Sequence, residues 1–398
     1  MSAIEPCHSL KPDRRSSATL MSAGLGLAGI GTVASIVWQM TLSWRMLALV
    51  LVGGLIGGVL QRSSFGFAGG FRRFITERDG SALRAQIVML AVMSAMAIPL
   101  VAAGEVFGLR LVGVVTPVGV AFVSGAVMFG VGMQMAGGCA SGTLFGMGGG
   151  NLRLVVALVG LVSGSTLGAS HMGYWWSLPK FEAITLWQSF SLPLALAAQG
   201  AILLAAWGLV GRVSRKPPRT PAGAGEWTLM QGAVALACLN VAVLLLSGQP
   251  WGEAPAFALW GSKLAAASGV DVFWWDYWSR PGFDRQIEAS VLTDSVTVIT
   301  IGIVLGAFVS ALQSGTFRLC LEGGITGAFA ALAGGILMGY GARLTNGCNI
   351  GAYFSGVGTG ALSGWVWLAF ALAGSYVGIT VMRWCVPVLS RCNALNEG

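Results

Sequence analysis

Charge is the scarcest ingredient of this 398-residue chain: 10% of its residues are Asp, Glu, Lys or Arg, against roughly 25% in soluble domains. That scarcity excludes an ordinary water-soluble fold. Histidine is almost missing, with His8 and His171 alone, and the seven cysteines fall at irregular intervals. Neither a zinc-ligand spacing nor a disulfide framework can be written from them. No nucleotide-binding motif or covalent catalytic set is present, so neither a cofactor nor a resident metal is expected. No typical signal peptide is expected either: Lys11, Arg14 and Arg15 precede an apolar run that no clear small-residue cleavage site follows. That run is expected to remain as a first span.

Apolar residues make up 55% of the chain, and mean hydropathy is +0.76. Many segments approach the ~20 apolar residues that cross a ~30 Å hydrocarbon core. The fold class is therefore an all-α polytopic membrane protein, with the lipid bilayer as its first partner. About ten spans are expected, near 20–38, 45–61, 85–108, 112–135, 152–170, 190–210, 227–247, 290–312, 323–343 and 362–385. Short apolar pieces at 140–147 and 349–356 read as re-entrant half-helices. The net charge of +8 is no sign of nucleic acid, because the basic residues gather at Lys11–Arg15, Arg62–Arg84 and Arg212–Arg219. There they set topology, with both termini cytoplasmic. The organisation expected is a tail 1–19, N-terminal spans 20–61, a basic loop or half-helix 62–84 and a first repeat unit 85–170. Connecting spans 190–247, an external aromatic loop 248–289, a second repeat unit 290–385 and a tail 386–398 follow.

Two motifs carry the chemistry. Gly137-Gly138-Cys139-Ala140-Ser141-Gly142 and Asn346-Gly347-Cys348-Asn349-Ile350-Gly351 stand 209 positions apart (348 − 139). The same offset relates Gly125 to Gly334, Gly130 to Gly339, Gly132 to Gly341 and Gln134 to Arg343. Five spans, an odd number, separate the starts of the two units, so they form an inverted internal repeat. Such repeats bring the repeated feature toward the midplane. Each unit thus delivers one thiol to a central pathway.

Glycines beside a cysteine let backbone N–H groups turn toward a ligand, and a thiol adds a polarizable sulfur and a weak donor. This lining suits a soft sulfur-bearing anion better than a hard cation, which takes oxygen ligands. Cys139, Cys348, Gly138, Gly347, Ser141, Asn346 and Asn349 are the pathway candidates. Arg343 either attracts the anion or snorkels to the interface. The remaining Cys238, Cys320, Cys385 and Cys392 are expected to be small buried hydrophobes, and Cys7 to have no role. The aromatic clusters Tyr174–Trp176 and Phe273–Trp278 read as an interfacial belt, with a substrate vestibule as the alternative.

The stretches Gly347–Gly356, Gly137–Phe145 with Gly148–Asn151, and Gly58–Phe65 with Phe71-Arg72 resemble the YeeE/YedE family of bacterial inner-membrane sulfur-transport proteins over about residues 45–385. The resemblance implies an hourglass shape and thiosulfate uptake through central cysteines, matched here by Cys139 and Cys348. It also implies a small cytosolic sulfur-carrier partner of the SirA/TusA type. Where the family commonly has a third Cys, this chain has Gly66, which leaves open a related sulfur or selenium species. The enzymatic alternative is a membrane sulfurtransferase that passes sulfane sulfur through a Cys persulfide to the carrier.

Overall fold

The computed structural model describes residues 17–215 and 227–396. All of the 1–19 tail but its last three residues, Lys216, Arg219 and the side chains of Cys385 and Cys392 lie outside the described residues.

The chain is a helical bundle built from α1 (Ser17–Thr41), α2 (Trp44–Ser63), α3 (Phe67–Glu77), α4 (Ser81–Ala103), α5 (Val120–Ala136), α6 (Ala140–Gly148), α7 (Leu152–Ser170), α8 (Leu192–Val213), α9 (Leu229–Ser247), α10 (Ala254–Ala267), α11 (Ser295–Gln313), α12 (Gly324–Leu344), the π-helix α13 (Asn349–Ser355) and α14 (Ser363–Asn396). Two tiny antiparallel strand pairs, Glu105–Val106 with Leu109–Arg110 and Val118–Gly119 with Lys180–Phe181, are the sheet among the described residues. Nine helical segments of the described residues are long and apolar enough to cross a membrane, and α1 occupies the place of the tenth expected span. Side chains start the helices where the sequence provides them: Asn151 accepts from Arg153 N, Asp294 from Thr297 N, and Thr228 and Gln231 form a capping box.

Glycine sets the crossings, as expected where apolar burial does not drive helices together. Gly125 lies against the carbonyl of Gly341 and Gly132 against that of Gly334; a Cβ at these sites would fall 2.7 and 2.5 Å from those oxygens. These are exchanged partners, since Gly334 repeats Gly125 and Gly341 repeats Gly132. Residue 125 meets the copy of 132, and 132 meets the copy of 125. Such self-complementary exchange is the signature of a two-fold axis, and it makes α5 and α12 antiparallel. The flanks follow suit: Gly130 abuts Ala371 and Ser375 of α14, while its copy Gly339 abuts Leu161 and Ser165 of α7. Parallel packing of α2 on α11 uses Gly53 and Gly57 against the carbonyls of Ile299 and Ile303. The inverted repeat is thus a physical arrangement of contacts.

Helix α5 has 17 residues and rises about 25 Å, and its repeat copy α12 has 21. Cys238 departs from expectation: it is exposed on α9 rather than buried, on a bundle face that apolar lipid can cover.

Candidate functional site

Each long central helix of the repeat ends in a left-handed residue that swings the chain into the thiol turn. Gly137 has φ 86° and its copy Asn346 has φ 53°. Glycine and asparagine are the residues that adopt this conformation most readily, so the two motifs differ in letter and agree in geometry.

Beyond those bends, Cys139 and Cys348 hold the same post. Each is the cap of a short helix and accepts from a backbone N–H of its first turn. Gly142 N reaches the Cys139 sulfur and Ile350 N reaches the Cys348 sulfur, both at 3.4 Å. Both thiols are free, and they are 1% and 0% exposed. Ser141 Oγ shares a hydrogen bond with the Cys139 sulfur at 3.4 Å, and the backbone of Ala68, at the start of α3, lies against the same thiol. Gly66, two residues earlier, caps α3; a Cβ there would meet nothing within 4 Å. The start of α3 thus joins the site with room for a side chain.

The partner of Cys348 is one that sequence reasoning passed over. Its S–H donates to Glu253 Oε2 at 3.1 Å, and Glu253 is wholly buried. Read from sequence, Glu253 counts only as one more acid in an external loop. The structure corrects this by folding the start of that loop inward. Asn240 of α9 accepts from Trp251 N at 2.8 Å and donates to Ser355 Oγ at 3.0 Å, and Ser355 Oγ donates to Trp251 O at 2.6 Å. Gly252 packs against the Cα of Gly351. A buried polar network that satisfies its own members holds geometry firmly; this one holds Glu253 opposite Cys348. The available signal was Gly252-Glu253-Ala254-Pro255, a lone acid at a helix start between Trp251 and Trp260.

Two cavities, of about 240 and 280 Å³, meet at the Asn346 turn that precedes the buried Cys348, and they share Val115 and Asn346. Trp175, Trp176, Lys180, Tyr277, Arg280 and Arg343 are among the walls of the first. Part of the aromatic belt is therefore a vestibule wall. Phe273 and Trp274 are 44% and 84% exposed, and Trp278 is buried on Ser262. Arg343 does not snorkel: it is 1% exposed, lies 4.4 Å from the Tyr277 ring centre and donates to Asn346 Oδ1 at 2.9 Å. Arg280 also sits 4.4 Å from that ring centre. Partial burial lowers the Arg280 pKa from its ordinary value; Tyr277 works the other way and the Arg343 charge adds to the lowering. Two guanidiniums on one ring give the vestibule positive potential and cation–π anchoring.

The opposite face mirrors the plan with other residues. Gln134, the copy of Arg343, accepts from Arg72 Nε at 3.1 Å and donates to Ala68 O at 3.2 Å. Arg153 donates to Met135 O at 2.8 Å and lines the turn at Gly137. Between the faces stands an aromatic column in which Phe67 meets Tyr353 edge-on and Tyr353 stacks on Trp367. Of the sequence candidates, Cys139, Ser141, Gly138, Cys348 and Gly347 gather in the buried core. Asn346 is exposed and lines both cavities, and Gly347 lines the second. Asn349 is fully buried, donates to Met133 Sδ at 3.8 Å and leaves its Oδ1 unpartnered among the described residues.

The chain is similar to known transporters over much of its length. The thiosulfate transporter TsuA of Escherichia coli K12 is 24% identical over 359 residues, covering 86% of this chain and 95% of that protein. TsuA of Spirochaeta thermophila is 26% identical over 352 residues, covering 82% and 96%. The probable transporter YedE of Escherichia coli K12 is 28% identical over 152 residues, 38% of this chain and 37% of YedE's own length. The model of the sulphur-transport family matches residues 62–377, both thiol motifs and both cavities included, and the chain belongs to that family.

Proposed function

We propose that this protein is a multi-pass permease of a bacterial inner membrane that takes up a small sulfur-bearing anion, foremost thiosulfate. The observation that carries the reading is the pair of buried thiols, each capping a short helix, under a vestibule walled by Arg280 and Arg343. The vestibule with the 248–289 loop is assigned to the outside and the face with α3 to the cytoplasm, following the basic residues Arg72, Arg73 and Arg78.

Guanidiniums collect the anion without stripping its charge, Asn346 receives its oxygens at the vestibule floor, and the weakly polar thiols accept the soft outer sulfur. Cys348 and then Cys139 are the successive resting places. No bond is made or broken in such a passage. The anion leaves past Arg153 and Arg72, where a SirA/TusA-like carrier is proposed to collect it. Gly66 opens that exit where a third thiol would narrow it.

The test is uptake of thiosulfate labelled at its outer sulfur by proteoliposomes of the purified protein, with Cys139→Ala and Cys348→Ala alongside. Label should accumulate with the wild type and be lost in both variants. Full uptake by either variant would overturn the thiol pathway, and a persulfide on Cys348 without flux would favour sulfur transfer instead.

A further inference from the structure

An anion path that passes a wholly buried carboxyl meets a problem the thiols do not solve. Glu253 is 0% exposed, its Oε1 has no partner among the described residues, and its Oε2 is held by the S–H of Cys348. The titratable groups acting on it are that thiol and, farther off, the thiol of Cys139; among the described residues no cation faces it. A thiol has one proton to donate. When Cys348 turns that proton to a passing anion, Glu253 loses its donor and confronts a like charge in a dry setting, where repulsion is strongest. The residues on either side, Gly252 and Ala254, line the second vestibule cavity. A proton entering that cavity therefore has a short route to the carboxyl.

Resting on the permease reading, we infer that Glu253 is the coupling group of a proton–anion symport, taking one proton from the vestibule as the anion settles at Cys348. With Cys348 donating to Glu253, the carboxylate is compensated and the site is empty. With the proton on Glu253, the acid is neutral and the thiol is free for the anion. The two states exchange one hydrogen bond, and binding of either ligand favours the other by the same factor. The proton departs to the cytoplasmic side after the anion has moved to Cys139, and the S–H of Cys348 then turns back to the carboxylate it leaves behind. No step requires an electron donor or acceptor.

The experiment uses proteoliposomes with the membrane potential clamped to zero by potassium and valinomycin, and thiosulfate labelled at its outer sulfur. With the outside more acidic by about one pH unit, the wild type should accumulate label about tenfold, the same free energy expressed as concentration. Equal pH on both sides should bring the inside-to-outside ratio to one. Glu253→Gln keeps the shape and cannot change charge, so its steady-state ratio should stay at one under the gradient, whatever its rate. Accumulation by the wild type that ignores the gradient would overturn the coupling and leave the permease standing. Accumulation by Glu253→Gln would show that another group carries the proton. A second readout is independent of flux: detergent-solubilised wild type, weakly buffered with an indicator dye, should take up about one proton per thiosulfate bound. Binding without proton uptake would overturn the inference even if Glu253→Gln did not fold. Neither binding nor entry of thiosulfate would remove the permease reading and the coupling together.

Discussion

Gly132→Ala is the sharpest probe of the inverted arrangement, because one methyl group lands on the two-fold crossing. The added Cβ would lie 2.5 Å from Gly334 O and 2.8 Å from Met338 N, so α5 and α12 must part by about 1 Å to restore ordinary contact. Overpacking of this kind costs about 1–3 kcal/mol. For a chain of this length each kcal/mol moves the midpoint by about 1–2 °C, extending the size trend of shorter domains. A fall of about 1–6 °C is therefore expected in intrinsic-tryptophan melts of detergent-purified protein. Gly341→Ala, the repeat equivalent, meets Phe129 N at 2.9 Å and should fall by a similar amount. Combining Gly132→Ala with Gly334→Ala should cost less than the sum by about 0.5–3 kcal/mol, since one parting accommodates both methyls. Gly58→Ala, whose Cβ meets nothing within 4 Å, is the control and should match or slightly exceed wild type. If Gly132→Ala and Gly341→Ala melt with Gly58→Ala, α5 and α12 do not cross where stated and the two-fold contact scheme is wrong.

Other expectations follow from the site. Cys139→Ser and Cys348→Ser should abolish growth on thiosulfate as sulfur source at unchanged protein level by immunoblot; normal growth of both would remove the thiols from the pathway. Arg280→Gln and Arg343→Gln should each raise the KM for uptake by about ten- to a hundredfold, as loss of one charge-assisted contact would, and flatten its salt dependence. An unchanged KM would take the vestibule off the route. Gly66→Cys should fold with a midpoint within about 2 °C of wild type, because its side chain enters open space, and should react with a small maleimide before Cys139 or Cys348 does. Asn346→Gly should hold its stability while Asn346→Val loses about 1–2 kcal/mol at φ 53°, measured in the same melts.

The sequence made the helical membrane class and the inverted units legible, because span length and the 209-residue offset are local, countable properties. Cys139 and Cys348 could be singled out for the same reason. Glu253 could not: nothing in Gly252-Glu253-Ala254-Pro255 says that Asn240 and Ser355 will draw the chain inward, since that network joins residues 115 positions apart. Arg343 was ambiguous because an arginine near a span end reads alike whether it reaches water or stacks on Tyr277. Cys238 misled through a general habit, the burial of free cysteine, that weakens when the bundle's outer face is itself apolar. The aromatic loops divided unpredictably for a related reason. Trp and Tyr prefer interfaces, and a vestibule mouth is one.

The exchanged glycine contacts also bear on how evenly a traveller is held. On the proposed pathway, two thiol turns of the same construction would offer an anion two wells of similar depth, one reached from each face. What separates them is the few places where the copies differ: Arg343 against Gln134, Asn346 against Gly137, and Glu253 beside Cys348. Symmetry would thus lower the step between the wells on that pathway, and those unmatched residues would tilt it. A change that deepened one well alone would be expected to slow passage in both directions while tightening binding.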